Sequence, residues 1–368
     1  MVKVDGRRRL VWLKCQEGLL EANLAGEIPG GNKATATSGI RPFRLRTLVL
    51  CLPVFLLLAA AAPRASHADE SDRTVRLAEH LTLGLKVDRY IGSHTSYEFG
   101  NPFPPYQVPL SRLEFPLDSW WGGAELRASF PRFSAGVEIL TNLSRDADGK
   151  MMDSDWDDDS RPGVKTIYSE SECSINPSYI FVADLDLRVS DWLDLPDWFD
   201  PRPLVGFRRQ DFNFMAHDGM QWDLTGGSNP LPLPGDSLRF QQTYTQVFLG
   251  LRAACDLGTF ARVRRLTARL QCDWAYVEGH NEDHHLLRVG RRYTYEDTYG
   301  DAWHGSFGIE AELLERLTLA LEGDFLAIST TGVHRLVNTL FDIDFSFTNG
   351  VRAWSEQNRL SLMLRYAF

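Results

Sequence analysis

The C-terminal segment constrains the fold more than any other part of this chain. Residues 360–368 carry an apolar side chain at every even position and end on the aromatic Phe368. Successive side chains of a strand point to opposite faces, so one face of this segment is apolar throughout. In an outer-membrane β-barrel such a face meets lipid, and aromatic residues mark the interface. The segment therefore predicts the closing strand of a transmembrane β-barrel.

The N-terminal region carries the pattern of an export signal. Three arginines within residues 41–46 precede an apolar run at 47–63, and small residues occupy the −3 and −1 positions of a cleavage site after Ala68. Basic, then apolar, then small residues are typical of a secretory signal peptide. We therefore expect 1–68 to be an N-terminal extension and signal peptide that is cleaved, and 69–368 to form the mature barrel.

The charge of the expected mature part restricts its ligands. Residues 69–368 contain 29 Lys and Arg against 45 Asp and Glu, a net charge of −16. Nucleic acid binds basic surfaces, so this balance excludes it and favours cationic ligands or substrates. Three cysteines remain, an odd number that does not indicate a disulfide framework. Cys255 and Cys272 leave room for one bond.

Alternation with a period of two recurs along the mature part and predicts strands rather than helices. In 306–313, Phe307 and Ile309 alternate with small or polar residues. We assign an all-β fold, a single ten-stranded antiparallel transmembrane barrel with long extracellular loops. The predicted strands are 78–90, 106–130, 134–143, 176–189, 203–217, 238–256, 262–279, 291–314, 316–332 and 353–368.

The connections between the predicted strands alternate between short and long. All five long loops therefore leave the same rim of the barrel. Long loops of bacterial barrels face the outside of the cell, so we expect the functional surface at the outer rim. The long loops are 91–105, 144–175, 218–237, 280–290 and 333–352.

Two of the long loops carry closely spaced acids and a histidine. Asp153 and Asp155 lie two positions apart in one loop, as do Asp283 and His285 in the other, and the latter pair shares the inward parity of Asp273. A carboxylate beside an imidazole raises its basicity and fixes its tautomer. Two close carboxylates can hold a water molecule and share a proton. The pattern predicts hydrolysis by an activated water, without a covalent intermediate.

These residues resemble the omptins, ten-stranded outer-membrane endoproteases of Gram-negative bacteria, over most of the mature part. The resemblance is carried by an Asp-x-Asp-Trp motif at 153–156 and a Glu-x4-Asp-x-His motif at 278–285. Family-like stretches also occur at 111–115 and 292–295. Each motif is short, but the two together, on the matching loops of a ten-strand pattern, are specific.

The resemblance implies a role for each of the four residues. Asp153 and Asp155 match the aspartate couple of the family, which binds and polarises the attacking water. Asp283 and His285 match its dyad, in which His285 is the base and Asp283 orients the imidazole.

A competing register for the dyad would use Glu282 and His284. We favour Asp283 and His285, because Glu278 then keeps the spacing that the family shows to both residues.

The resemblance also implies a pocket for basic substrate residues and an activating lipid. Glu98 is the counterpart of one acidic pocket residue, and Asn281 stands where the family has an Asp. One pocket charge is therefore missing, and strict dibasic specificity is not implied. We expect peptide or protein substrates at the cell surface and lipopolysaccharide as an activator on the barrel wall. No other cofactor and no metal are implied.

Other interpretations of the same residues remain open. A catalytically silent barrel could act as an adhesin or receptor for cationic peptides. The acidic stretches 146–149 and 153–159 could bind calcium, but they lack the twelve-residue spacing with a closing Glu. His280, His284 and His285 could bind zinc, although no cysteine or helix supports them. A passive porin is disfavoured, because side chains fill the lumen of so small a barrel.

Overall fold

The computed structural model describes residues 80–368 except residues 197, 227, 228, 261, 262, 289 and 291. The expected extension and signal peptide at 1–68 lie outside the described residues. Within the described part, no helix is long and apolar enough to cross a membrane. The strands are β1 Leu81–Tyr90, β2 His94–Phe99, β3 Ser111–Pro116, β4 Trp120–Ser129, β5 Phe133–Asn142, β6 Asp146–Asp155, β7 Ile167–Ile175, β8 Tyr179–Leu187, β9 Phe199–Asp223, β10 Leu231–Phe260, β11 Val263–His285, β12 Arg292–Leu314, β13 Leu317–Asn338, β14 Ile343–Phe347 and β15 Arg352–Ala367.

Ten of these strands close a ring in which every neighbouring pair is antiparallel. The ring runs β1–β4–β5–β8–β9–β10–β11–β12–β13–β15, and β15 pairs back onto β1. A closed ring leaves no unpaired edge, which is the condition for spanning a membrane with strands. The predicted ten-stranded antiparallel barrel is confirmed.

On one side of the barrel the strands are interrupted and then continue as β2, β3, β6 and β7. These segments pair in the order β15–β2–β3–β6–β7–β9. At the first interruption Gly92 adopts a φ of 61°. The Asp118 carboxylate accepts hydrogen bonds from the backbone N–H of Gly92 at 2.8 Å and of Ser93 at 2.6 Å. The upper part of the barrel is therefore a second closed ring, and it carries the candidate site.

The outer face of the main ring is apolar, as the C-terminal pattern predicts. Leu360, Leu362 and Leu364 of β15 are exposed, whereas Ser361 and Met363 between them are buried. This alternation is confirmed. Exposed apolar side chains continue around the ring at Leu83, Leu85, Leu126, Val137, Ile139, Val205, Leu249, Leu251, Leu270, Phe307, Leu321 and Phe325.

The interior of the main ring is filled by paired charges. His304 lies between two carboxylates, 2.6 Å from Asp273 through Nδ1 and 2.8 Å from Asp324 through Nε2. Buried charges persist only when they are paired and hydrogen-bonded. A lumen filled in this way argues against the porin alternative. Further interior pairs are Lys86–Glu138, Arg127–Asp184, Arg252–Asp186, Arg269–Glu310 and Arg359–Asp324.

The strands extend much further toward the rim than predicted, and the predicted boundaries are wrong there. The loop expected at 144–175 is reduced to 156–166, and the one expected at 218–237 to 224–230. The predicted strand 106–130 is two strands, β3 and β4. Polar residues weaken the alternation signal near the rim, but backbone pairing with a neighbouring strand continues without it. The predicted catalytic residues therefore lie on β6 and β11 rather than in loops.

The cysteines of the described part carry free thiols. Cys255 pairs with Ala268 in the β10–β11 ladder, whereas Cys272 pairs with Leu251. The two therefore occupy different levels of the ladder, and neither is bonded.

Candidate active site

An aromatic cluster inside the barrel forms the floor of the site. The Phe115 ring stacks on Phe240 with centroids 4.4 Å apart and on Phe214 at 4.9 Å. All three rings are fully buried. Phe240 is the ladder partner of Asp283, so this cluster borders the acid directly. Charge interactions above such an apolar floor are stronger than in water.

Asp283 and His285 stand at the upper end of β11 and face the interior together. Residues two positions apart in a strand share a face. The Nε2 atom of His285 lies 3.0 Å from Oδ2 of Asp283. Asp283 is 1% exposed, and its partner imidazole keeps limited access to solvent. The structure therefore brings these two predicted residues into direct contact.

The competing pair, Glu282 and His284, has the opposite parity. The His284 ring stacks on Tyr293 with centroids 4.1 Å apart. His284 and Tyr293 are ladder partners, and they share the outer face of the sheet. This register therefore does not bring an acid and an imidazole together inside the barrel.

Asp153 and Asp155 lie on the inner face of β6. Leu113 and Ser111 of β3 are their ladder partners. Burial raises the pKa of Asp153 well above its usual range, and the charge of Asp155 raises it further. Burial also raises the pKa of Asp155, although a hydrogen bond to Ser111 opposes the shift. These shifts favour a proton on one of the two carboxyls at a pH where isolated aspartates are ionised.

The two pairs face each other across the cleft. After burial and Asp155, the charge of Asp283 also contributes to the raised pKa of Asp153. Oδ1 of Asp153 and Oδ1 of Asp283 are both buried, and neither accepts a hydrogen bond from the described residues. Buried acceptors in proteins nearly always have a donor. These two oxygens are therefore suited to bind a polar molecule between β6 and β11.

The imidazole of His285 is held in its neutral form. Burial lowers its pKa below the usual range of histidine, the Asp283 carboxylate opposes this shift, and the charges of Arg292 and Arg288 add to it. A neutral imidazole near pH 7 can accept a proton, which is the state a general base needs.

Sequence reasoning did not single out the two arginines beside the site. Arg292 is the ladder partner of His285 on β12, and Arg288 lies in the turn that follows β11. The alternation of β12 could have indicated Arg292, because every second residue from Arg292 through Thr294 to Glu296 faces the interior.

The structure does not bring Glu98 to the cleft. Along β2, Tyr97 faces the interior, so Glu98 faces outward. It lies 2.7 Å from Arg112, its ladder partner on β3. The Arg112 guanidinium in turn lies over the rings of Trp156 and Trp354, at 5.5 Å and 5.4 Å. The assignment of Glu98 to the substrate pocket stays a prediction, and this orientation does not favour it.

Asn281 does face the interior, two positions below Asp283. It is 1% exposed, and neither Nδ2 nor Oδ1 has a hydrogen-bond partner among the described residues. Its ladder partner on β12 is Glu296. Glu296 Oε1 lies 2.9 Å from Nδ1 of His334, and the Tyr97 hydroxyl lies 2.7 Å from the same nitrogen. Asn281 and Glu296 therefore form a buried polar pair below the dyad, of which sequence reasoning singled out Asn281 but not Glu296.

The residues considered for metal binding do not converge. His280 is exposed and lies 2.9 Å from Asp297 on the outer face, whereas His285 faces inward. Asp158 lies at the loop tip, where its carboxylate accepts hydrogen bonds from the side chains of Ser160 and Arg161. Within the ranges that the structure describes, no group of His, Cys, Asp and Glu is arranged to hold a metal ion.

The omptin family profile and one solved structure agree with this architecture. A family profile described as the Omptin family matches residues 123–320. The outer membrane protease OmpT from Escherichia coli superposes with a TM-score of 0.67 at 15% identity, covering 79% of this chain and 97% of that one. The translocator domain of the autotransporter NalP from Neisseria meningitidis gives a TM-score of 0.34 at 9% identity, covering 88% and 97%. A search of curated proteins gives no match.

Proposed function

The chain belongs to the omptin family of outer-membrane proteases, and on that premise we propose that it cleaves exposed peptide bonds with an activated water. In this proposal Asp283 and His285 form the base, and Asp153 and Asp155 hold the water. The protein lies in the outer membrane with its site at the exposed rim. We also propose that 1–68 is removed during export and that 69–368 is the mature enzyme.

The contact between His285 Nε2 and Asp283 Oδ2 carries the proposal. With the ring proton held on Nε2, Nδ1 has the lone pair that takes a proton from water. The water oxygen then bonds to the carbonyl carbon, and the π electrons move to the carbonyl oxygen. When this intermediate collapses, the C–N bond breaks and the proton on His285 passes to the leaving amine.

The Asp153–Asp155 couple completes the water site. The buried Oδ1 atoms of Asp153 and Asp283 lack protein donors among the described residues, so each is available to accept a hydrogen bond from the water. The raised pKa of Asp153 lets the couple keep one proton. The couple can therefore orient the water without placing two full negative charges beside it.

Cleavage of a mixed peptide library tests the proposed activity. The refolded barrel is assayed with and without lipopolysaccharide, beside the Asp153→Ala/His285→Ala double variant. Cleavage by the parent alone is expected, because only the parent retains both the base and the water site. If a folded parent binds cationic peptides and leaves them intact, the alternative of a silent surface receptor replaces the hydrolase.

We further propose that the substrate residue beside the cleaved bond is preferably basic, with Glu296 supplying the negative charge. Glu296 is fully buried on the inner face of β12 and opposes Asn281. It lies about 7 Å below the dyad along the strand, a depth suited to a long side chain. Asn281 offers both an acceptor and donors at the same level, so one carboxylate and one amide can hold a cationic group.

Glu296→Gln is expected to reduce kcat/KM for peptides with Lys or Arg at the cleavage site by about 10–100-fold, because a charged hydrogen bond is lost. Cleavage at neutral residues should change little. The same library provides the measurement. Asp297→Asn is the matched control, since this adjacent carboxylate is exposed and contacts His280 on the outer face. An unchanged profile for Glu296→Gln would remove Glu296 from the specificity pocket.

A further inference from the structure

Arg292 is a buried cation on the inner face of β12. It is 6% exposed and is the ladder partner of His285 on β11. Directly opposed residues of an antiparallel pair have Cβ atoms about 4.5–5.5 Å apart on the same face. The guanidinium and the imidazole therefore enter one cleft from adjacent strands.

The charge of Arg292 acts on both halves of the site. Burial raises the pKa of Asp153 and of Asp155, and the charges of Arg288 and, after it, Arg292 oppose this shift for both carboxyls. For His285, Arg292 adds to burial in lowering the pKa. The guanidinium beside His285 therefore also acts electrostatically on the carboxyls of β6.

The proposed reaction creates negative charge in a site that already holds three carboxyl groups. Attack by water converts a neutral carbonyl into an oxyanion, and Asp153, Asp155 and Asp283 oppose this change in the low-dielectric cleft. Donors fixed in advance toward the developing charge are usually the largest single contribution to catalysis. A buried guanidinium on a strand meets that requirement, because its strand neighbours hold it in place.

We propose that Arg292 is a catalytic residue whose guanidinium N–H groups bind the oxyanion of the tetrahedral intermediate, a role that rests on the proposed hydrolase function. As the water oxygen bonds to the carbonyl carbon, its proton passes to His285 and the π pair moves to the carbonyl oxygen. That oxygen accepts hydrogen bonds from Arg292. When the C–N bond breaks, the pair re-forms the C=O bond and the proton on His285 goes to the amine. Arg292 keeps its protons throughout.

Arg288 lowers the pKa of Asp153 and of Asp155 more than Arg292 does, but it lies in a turn and not on a strand. It is half-buried in the turn after β11, where its backbone N–H donates to the carbonyl of His285 at 3.4 Å. Sites on strands are held more accurately than sites on loops. We therefore assign the oxyanion to Arg292 and expect Arg288→Gln to have the smaller effect.

Steady-state kinetics of Arg292→Gln and Arg292→Lys over a range of pH test this role. The Gln variant is expected to lose about 10²–10³-fold in kcat, with KM nearly unchanged. Arg292→Lys should recover part of the loss, because it retains the charge without the planar fork of donors. The control is Arg335→Gln on β13, which removes an exposed guanidinium that lies 2.7 Å from Asp344. Its kcat should equal that of the parent.

The dependence of kcat on pH distinguishes binding of the oxyanion from a role in which Arg292 only lowers the pKa of Asp153 and Asp155. Without Arg292 the pKa of Asp153 and of Asp155 would rise further, so tuning alone predicts that Arg292→Gln recovers full kcat at higher pH. Such recovery would overturn the proposal, which requires the kcat of Arg292→Gln to stay below that of the parent at every pH. If the Gln variant does not fold, the pH dependence of kcat is measured for Arg292→Lys instead. Recovery of the parent's kcat at higher pH would then overturn the proposal in the same way.

The outcomes also separate this proposal from the hydrolase itself. A parent that cleaves peptides, together with a folded Arg292→Gln variant of unchanged kcat, removes Arg292 from catalysis and leaves the hydrolase standing. A folded parent without activity removes both.

Discussion

His285→Ala is expected to lower kcat/KM for peptide cleavage by about 10²–10⁴-fold, the usual contribution of a general base. The imidazole contacts Asp283, and its lowered pKa leaves it neutral and able to take a proton from water near pH 7. Initial rates on a peptide identified from the library provide the measurement, with circular dichroism to show that the barrel has folded.

His284→Ala is the matched control for this substitution. It removes an imidazole from the adjacent position, but on the outer face, where the ring stacks on Tyr293. The variant should retain the activity of the parent. An inactive His284→Ala beside an active His285→Ala would establish the competing register with Glu282, in conflict with the geometry described above.

Asp153→Asn/Asp155→Asn is expected to reduce kcat by about 10²–10³-fold, because the water loses its fixed acceptors. The two single variants should differ. Burial and the charge of Asp155 raise the pKa of Asp153 well above its usual range, so Asp153 is the better candidate to carry the shared proton. Since Asn resembles a protonated carboxyl, Asp153→Asn should retain more activity than Asp155→Asn.

Asp158→Asn tests whether the loss of any negative charge at this rim is sufficient to lower kcat. Asp158 lies at the loop tip, where it accepts hydrogen bonds from Ser160 and Arg161 at 2.6 Å. Its replacement removes the same charge three positions from Asp155 and should leave kcat unchanged. Equal losses at Asp155 and Asp158 would indicate a general effect of surface charge and would contradict a specific water site.

The barrel could be predicted from the sequence because its determinants are local and repeated. The alternation that ends at Phe368 must hold wherever one face of a strand meets lipid and the other meets a polar interior. The strand ends near the rim could not be predicted in this way. There both faces carry polar residues, and pairing depends on a neighbouring strand whose position the local pattern does not contain.

The residues of the candidate site also differ in whether local spacing could predict their position. Spacing within one strand placed Asp283 beside His285 and Asp153 beside Asp155, because two positions return to the same face. The alignment of Glu98 carried no such information on the face, and in the structure its side chain turns outward to Arg112. A shift of one residue exchanges the two faces of a strand, so an uncertain alignment cannot assign a pocket residue.

The sequence by itself determined the fold class, the compartment and the two short motifs, because each depends on the order of residues within a single segment. Only the tertiary structure decided which segments stand side by side. The ladder registers bring Arg292 opposite His285 and Glu296 opposite Asn281. Cross-strand register is set by pairing between segments that are distant in the chain, and burial then determines the charge state of the groups that meet.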